Sequence, residues 1–137
     1  MCEPIETRER TIRRLGLFGG SFNPVHCGHL LVAQAAREEL GLDRLVFIPA
    51  AQSPFKPGQS LAAPEARLRL LRLALAGLEW VEIDNQELHR GGVSYTVETL
   101  RDYAQRFPET ERHYLIGADH VAQLPAWRAA SELAGLA

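Results

Sequence analysis

A chain of 137 residues is long enough for one compact domain with a single hydrophobic core, and at 46% apolar and 23% charged residues it has the composition of a folded chain rather than a disordered one. Fifteen Lys and Arg against 17 Asp and Glu leave a net charge of -2, so no global field gathers nucleic acid or an anionic membrane, and any anion must be held by local geometry. Cys2 and Cys27 provide no disulfide framework, and the absence of an apolar run long enough for a bilayer span or a secretory signal predicts a cytoplasmic protein.

Residues 1–14 read as a polar, solvated tail in which Arg8, Arg10, Arg13 and Arg14 alternate with Glu3, Glu6 and Glu9. A basic arm for nucleic acid is the sharper alternative, but the interleaved acids cancel most of its field. The domain proper spans residues 15–137. It opens with a short apolar strand at 15–18, then a loop rich in Gly, Pro and Asn, then a helix over 30–40 with Leu30, Ala33, Ala36 and Leu40 at helical spacing and Gly41 at its end. A second strand at 45–48 leads into a Pro-, Ser-, Gln- and Gly-rich stretch over 49–64, a length typical of binding loops. A helix over 66–76, a strand at 80–83, a helix over 95–106, a strand at 113–116 and a last helical segment after Pro125 complete the order. Strands separated by helices of this length predict an α/β fold: a Rossmann-like open parallel sheet with helices on both faces. In such sheets ligands bind beyond the carboxyl ends of the strands. The loops after Phe18, Ile48, Ile83 and Ile116 should therefore converge on one crevice.

The first of these loops carries the chemistry. Gly19-Gly20-Ser21-Phe22-Asn23-Pro24-Val25-His26-Cys27-Gly28-His29 combines paired glycines, which let backbone approach a bulky anion, with two histidines at a helix entrance, where the dipole and unpaired N–H groups favour phosphate. As donors, His26 and His29 could hold an α-phosphate and stabilise charge growing on it. A P-loop Gly-Lys-Ser/Thr and the three-glycine dinucleotide fingerprint are both absent. A zinc site of His26, Cys27 and His29 is disfavoured, since adjacent side chains rarely converge on one ion and no Cys/His pair follows downstream. The bland alternative is a glycine turn whose histidines satisfy local backbone. Cys27 reads either as a thiol activated by the helix start or as an inert filler of a variable position.

With these residues in view, the chain resembles the nucleotidylyltransferases bearing a His-x-Gly-His motif, and among them the bacterial nicotinate-mononucleotide adenylyltransferases. The resemblance runs from Leu15 to Leu133 and is carried also by Pro54-Phe55-Lys56, Gly92-Val93-Ser94-Tyr95-Thr96, Ile116-Gly117-Ala118-Asp119 and Leu124-Pro125-Ala126-Trp127. It implies adenylyl transfer from ATP, with magnesium, to nicotinate mononucleotide. It implies that His26 and His29 hold ATP phosphates, that Gly19, Gly20 and Ser21 approach the reacting centre, and that Lys56 steadies a phosphate. From position alone, Lys56 could equally be a solvated surface lysine. Phe55 stands where the family usually has His. On the acceptor side the resemblance implies a site built from Ser94, Tyr95 and Thr96 at a helix start, where Ser94 or Thr96 could cap and free N–H groups could meet a carboxylate. An ordinary capped helix is the alternative. Asp119 would accept from ribose hydroxyls, and Trp127 would stack on the pyridine ring, whereas Trp80 reads as core or strand edge. His89, His113 and His120 read as surface or packing residues. No resident metal site is expected.

The family normally continues past Ala137 with a strand, an Arg-Pro-Gly loop and an Ile-Ser-Ser-Thr-x-Ile-Arg segment, so the chain reads as C-terminally shortened. An exposed apolar edge and self-association are the expected consequences. Two other readings stay open: a nucleotide-binding remnant without turnover, and a transferase for another phosphorylated acceptor such as phosphopantetheine or glycerol phosphate.

Overall fold

A computed structural model describes residues 11–52 and 61–137, apart from the Asp119 side chain. The alternation of side chains along the first two strands organises it. In β1 (Arg14–Gly20), Leu15 and Leu17 face one side and Phe18 the other; in β2 (Arg44–Pro49), Val46 and Ile48 join the first side while Leu45 and Phe47 join the second. A sheet apolar on both faces must be covered on both. The remaining elements, in chain order, are α1 (Cys27–Leu40), which lies between β1 and β2, then α2 (Pro64–Leu75), β3 (Val81–Ile83), α3 (Gln86–Arg90), α4 (Thr96–Arg106), β4 (Glu111–Leu115), α5 (Ala118–Val121), a 3₁₀ turn at Leu124–Ala126 and α6 (Ala130–Leu136). The four strands pair in parallel in the order β3-β2-β1-β4.

Ala33 of α1 and Leu71 and Leu75 of α2 cover one face, packing with Leu45, Phe47, Phe22 and Leu42. Leu100 and Tyr103 of α4 cover the other, against Leu15, Leu17, Val46 and Ile48, with Leu133 and Leu136 of α6 at the margin. Burying a side chain such as Phe47, with no exposed surface, contributes roughly 1.5–3 kcal/mol. The open parallel sheet with two helical layers is the predicted architecture. Among the described residues no helix is long and apolar enough to cross a membrane.

Several boundaries differ from the sequence expectation, each for a local reason. The first helix starts at Cys27 rather than Leu30, because His26 caps it and adds a turn that apolar periodicity does not register. The third strand starts at Val81; Trp80, just before it, packs against the α1–α2 core with the Arg37 guanidinium 4.7 Å from its ring centre. Helices α3 and α5, of five and four residues, are too short to show a hydrophobic period.

Candidate active site

Loops at the carboxyl ends of the strands close around a cavity of about 560 Å³. Gly19, Gly20 and Ser21 line it where β1 ends, and the Asn23-Pro24 peptide that follows is cis. Between them Phe22 takes a left-handed φ of 43° with its ring buried against Phe18, Phe47 and His29. A non-glycine residue in that region costs about 1–3 kcal/mol and persists only where its surroundings hold it.

The two histidines form a reciprocal cap. His26 Nδ1 accepts from Gly28 N–H at 3.1 Å, and His29 Nδ1 accepts from His26 N–H at 3.0 Å. Because both Nδ1 atoms receive a backbone hydrogen, neither carries one, and each neutral ring has its proton on Nε2. The rings stack at 3.8 Å and 27°. Burial, and then the neighbouring His26, lower the pKa of His29, which keeps it neutral. A Cβ on residue 28 would fall 2.9 Å from His26 Cε1, so the glycine of the motif is what lets His26 fold back into its cap. The expectation of unpaired N–H groups at this helix start is narrowed: Gly28 N–H is taken by His26 Nδ1, and His29 N–H by His26 C=O at 3.0 Å. The side-chain donors left for an anion are the Nε2–H groups.

Ser94, Thr96 and Trp127 line the same cavity across from the histidines; Tyr95 does not, its ring lying 3.6 Å from the Arg128 guanidinium carbon. Neither Ser94 nor Thr96 caps α4. The N-cap is Tyr95, no side chain caps the helix, and the buried Ser94 hydroxyl instead accepts from Ala51 N–H at 3.0 Å, tying α4 to the loop after β2. Asp119 lies in α5, directly beyond β4, and Lys56 lies outside the described residues.

Sequence reasoning missed four residues of this site. His120, read as surface or packing, lines the cavity and meets Trp127 edge-on at 6.4 Å. Tyr114 of β4 also lines it, 3.4 Å from the Thr96 hydroxyl, and burial pushes its phenol up to about 12, so it stays a neutral hydroxyl. Glu87 of α3 is buried at the cavity wall, where its carboxylate accepts from the Thr99 hydroxyl at 2.7 Å. Burial outweighs that bond and raises its pKa. Arg67 of α2, 1% exposed, joins three loop carbonyls. A polar residue inside a helical period was the only available signal for Arg67, and it does not distinguish it from a surface position; Glu87 lies in a helix too short to show a period and gave no signal. Among the described residues no three His, Cys, Asp or Glu side chains group to hold a metal ion.

A family model described as cytidylyltransferase-like matches residues 17–137. A protein of Opitutus terrae named "Probable nicotinate-nucleotide adenylyltransferase" is 46% identical over 123 residues, covering 90% of this chain and 63% of its own length. One of the same name from Gloeobacter violaceus is 45% identical over 120 residues, covering 88% of this chain and 58% of its own. The chain thus spans less than two thirds of these relatives. Among solved structures, Plasmodium falciparum nicotinic acid mononucleotide adenylyltransferase complexed with NaAD shares the fold at a TM-score of 0.76 and 15% identity, over 88% of this chain and 60% of that one.

Proposed function

Since the chain belongs to the cytidylyltransferase-like family, we propose that it acts as a nicotinate-nucleotide adenylyltransferase, passing the adenylyl group of ATP to the phosphate of nicotinate mononucleotide. The products are nicotinate adenine dinucleotide and pyrophosphate, in NAD synthesis. The names carried by the curated relatives favour this acceptor over other phosphorylated ones. The observation that carries the reading is the His26–His29 pair, whose caps consume both Nδ1 atoms and leave two Nε2–H donors beside the glycine loop.

The attacking group is already a phosphate anion, so no strong base is needed, and catalysis rests on alignment and charge stabilisation. In this reading a phosphate oxygen of the mononucleotide attacks the α-phosphorus of ATP, pyrophosphate leaves, and His26 and His29 donate to the oxygens that gain charge. Gly19, Gly20 and Ser21 keep that region open to the polyphosphate. Lys56 would steady a phosphate, and magnesium would arrive on the ATP polyphosphate. Across the cavity, the start of α4, without a side-chain cap, supplies the positive helix end that a pyridine carboxylate favours; this is the role proposed for the Ser94-Tyr95-Thr96 stretch. Trp127 offers the ring face, and Asp119 would accept from the ribose.

Pyrophosphate release measured with ATP and, in turn, nicotinate mononucleotide, phosphopantetheine and glycerol phosphate tests the assignment. Release with nicotinate mononucleotide alone supports it. Preference for another acceptor moves the chain elsewhere among transferases, and ATP binding without release with any acceptor makes it a nucleotide-binding chain.

A further inference from the structure

We propose that Arg67 is a positioning residue that holds the phosphate loop in shape through the carbonyls of Ser21 and Ala50, without touching substrate. The inference deepens the adenylyltransferase reading and rests on it for the identity of the ligand.

The guanidinium lies within the first four residues of α2, 1% exposed. Its Nη1 donates to Ser21 C=O at 2.7 Å and to Ala50 C=O at 2.8 Å, and its Nε donates to Ala62 C=O at 3.0 Å. Ala50 follows β2 and Ala62 precedes α2, so one planar fork joins both ends of the second loop to the first. Two further bonds run the same way: Ala50 N–H to Gly20 C=O at 2.8 Å, and Ala62 N–H to Asn23 Oδ1 at 2.9 Å.

What the fork governs is the left-handed Phe22. A peptide's C=O and N–H point to opposite sides, so fixing Ser21 C=O on Arg67 turns Phe22 N–H away from the guanidinium. The side chain of Phe22 is fixed by the rings of Phe18, Phe47 and His29. Backbone and side chain are thereby held from opposite ends, and His29 is one of the proposed phosphate donors.

Packing alone does not account for a cation at this place. Among the described residues no carboxylate pairs with Arg67, burial disfavours its charge, and the amino end of a helix disfavours a cation. Met would fill the volume without either penalty. Lys would keep the charge, but a point ammonium on a flexible stem does not reproduce a planar fork. Geometry is what only arginine supplies.

The test compares Arg67→Lys and Arg67→Met with the parent chain by amide hydrogen exchange without ligand, thermal melting, and calorimetry with magnesium ATP and with nicotinate mononucleotide. The clamp predicts exchange about tenfold or more faster in both variants at Ala50, Ala51 and Ala62, whose N–H groups bond to Gly20 C=O, Ser94 Oγ and Asn23 Oδ1, with Leu17 and Val46 within about threefold of the parent. It also predicts ATP affinity weaker by about tenfold while mononucleotide affinity stays within about twofold. Unchanged exchange at Ala50 and Ala62 in a folded Arg67→Lys overturns the proposal, as does uniform acceleration across the sheet or equal weakening of both ligands, which mark a merely structural arginine. Should Arg67→Met fail to fold, Arg67→Lys carries the comparison. A parent that binds no ATP overturns the adenylyltransferase reading, and the ligand-free exchange then decides the clamp by itself.

Discussion

The phenol of Tyr114 occupies the space that a side chain on Gly19 would need: a Cβ there would fall 2.5 Å from the Tyr114 hydroxyl oxygen. That hydroxyl is also 3.4 Å from Thr96 Oγ1, so one group on β4 reaches the glycine loop and the start of α4 together. The approach of tyrosine is therefore one reason for Gly19 to lack a side chain, separable from the approach of phosphate proposed for this loop.

A double-mutant cycle separates them. Gly19→Ala should destabilise the protein by about 1–3 kcal/mol, the range for overpacking, and Tyr114→Phe, which removes only the clashing oxygen, should recover at least half of that. Chemical denaturation of the four proteins measures it. Purely additive losses would mean that the strain at Gly19→Ala arises elsewhere.

The reciprocal cap makes the two nitrogens of His29 experimentally distinct. In His29→Asn the side-chain oxygen can take over the Nδ1 role and accept from His26 N–H, but nothing replaces Nε2–H. Stability should stay within about 1 kcal/mol of the parent, the scale of a helix cap. Turnover should fall by about 10² or more, the usual effect of deleting a transition-state donor. Melting curves beside pyrophosphate release check both. Equal turnover in parent and His29→Asn would remove His29 from the chemistry.

Glu87 gives a pH signature. Burial raises its folded pKa above the ordinary 4.5, so between the unfolded and folded values the native state binds more protons than the unfolded chain. Stability should therefore decline as pH rises through that window, upward from about 4.5, and Glu87→Gln should flatten the decline. Asp84 acts on the other side. Its burial opposes ionisation, but hydrogen bonds from Tyr103 and Gln86 hold its pKa below 3.8, so its contribution is lost as pH falls beneath that value. Denaturant midpoints from pH 3 to 8 distinguish the two; an unchanged slope above pH 4.5 in Glu87→Gln would show that another group titrates there.

These predictions draw unequally on sequence. The sheet covered on both faces was legible because the apolar strands at 15–18, 45–48, 80–83 and 113–116 are separated by helices, an order that parallel pairing through right-handed crossovers restricts to few arrangements. The His26–His29 motif was legible because its residue types are rare at that spacing. Arg67 and Glu87 were not. Their roles depend on carbonyls and hydroxyls brought from distant elements, Ser21 and Ala50 for the one and Thr99 for the other. Nor does sequence show that Ser94 turns from its own helix to Ala51, since a serine beside a helix start already has a local use as a cap.

The acceptor wall offers the last prediction: Trp127→Ala should weaken nicotinate mononucleotide binding several-fold and leave ATP affinity nearly unchanged. Trp127 follows the 3₁₀ turn beyond β4 and lines the cavity on the side away from α1. Tyr114 meets it at 84° and His120 at 67°, both edge-on. The proposed ATP phosphates sit against the glycine loop and His26, on the opposite wall. Stacking on a pyridine ring is worth about 1 kcal/mol beyond area burial, which corresponds to roughly fivefold in affinity. The competing account makes Trp127 a packing residue, because it also borders a second, apolar cavity of about 500 Å³ with Leu100 and Leu133. On that account truncation removes a large partly buried ring, lowers the melting temperature by many degrees, and depresses both affinities together. Calorimetric titration of each ligand into the variant, with melting as the control, separates the two. A selective loss of the mononucleotide with a nearly unchanged melt keeps Trp127 on the acceptor wall, whereas equal losses with a large drop in melting temperature return it to the packing between β4 and α6 and leave pyridine recognition to the start of α4.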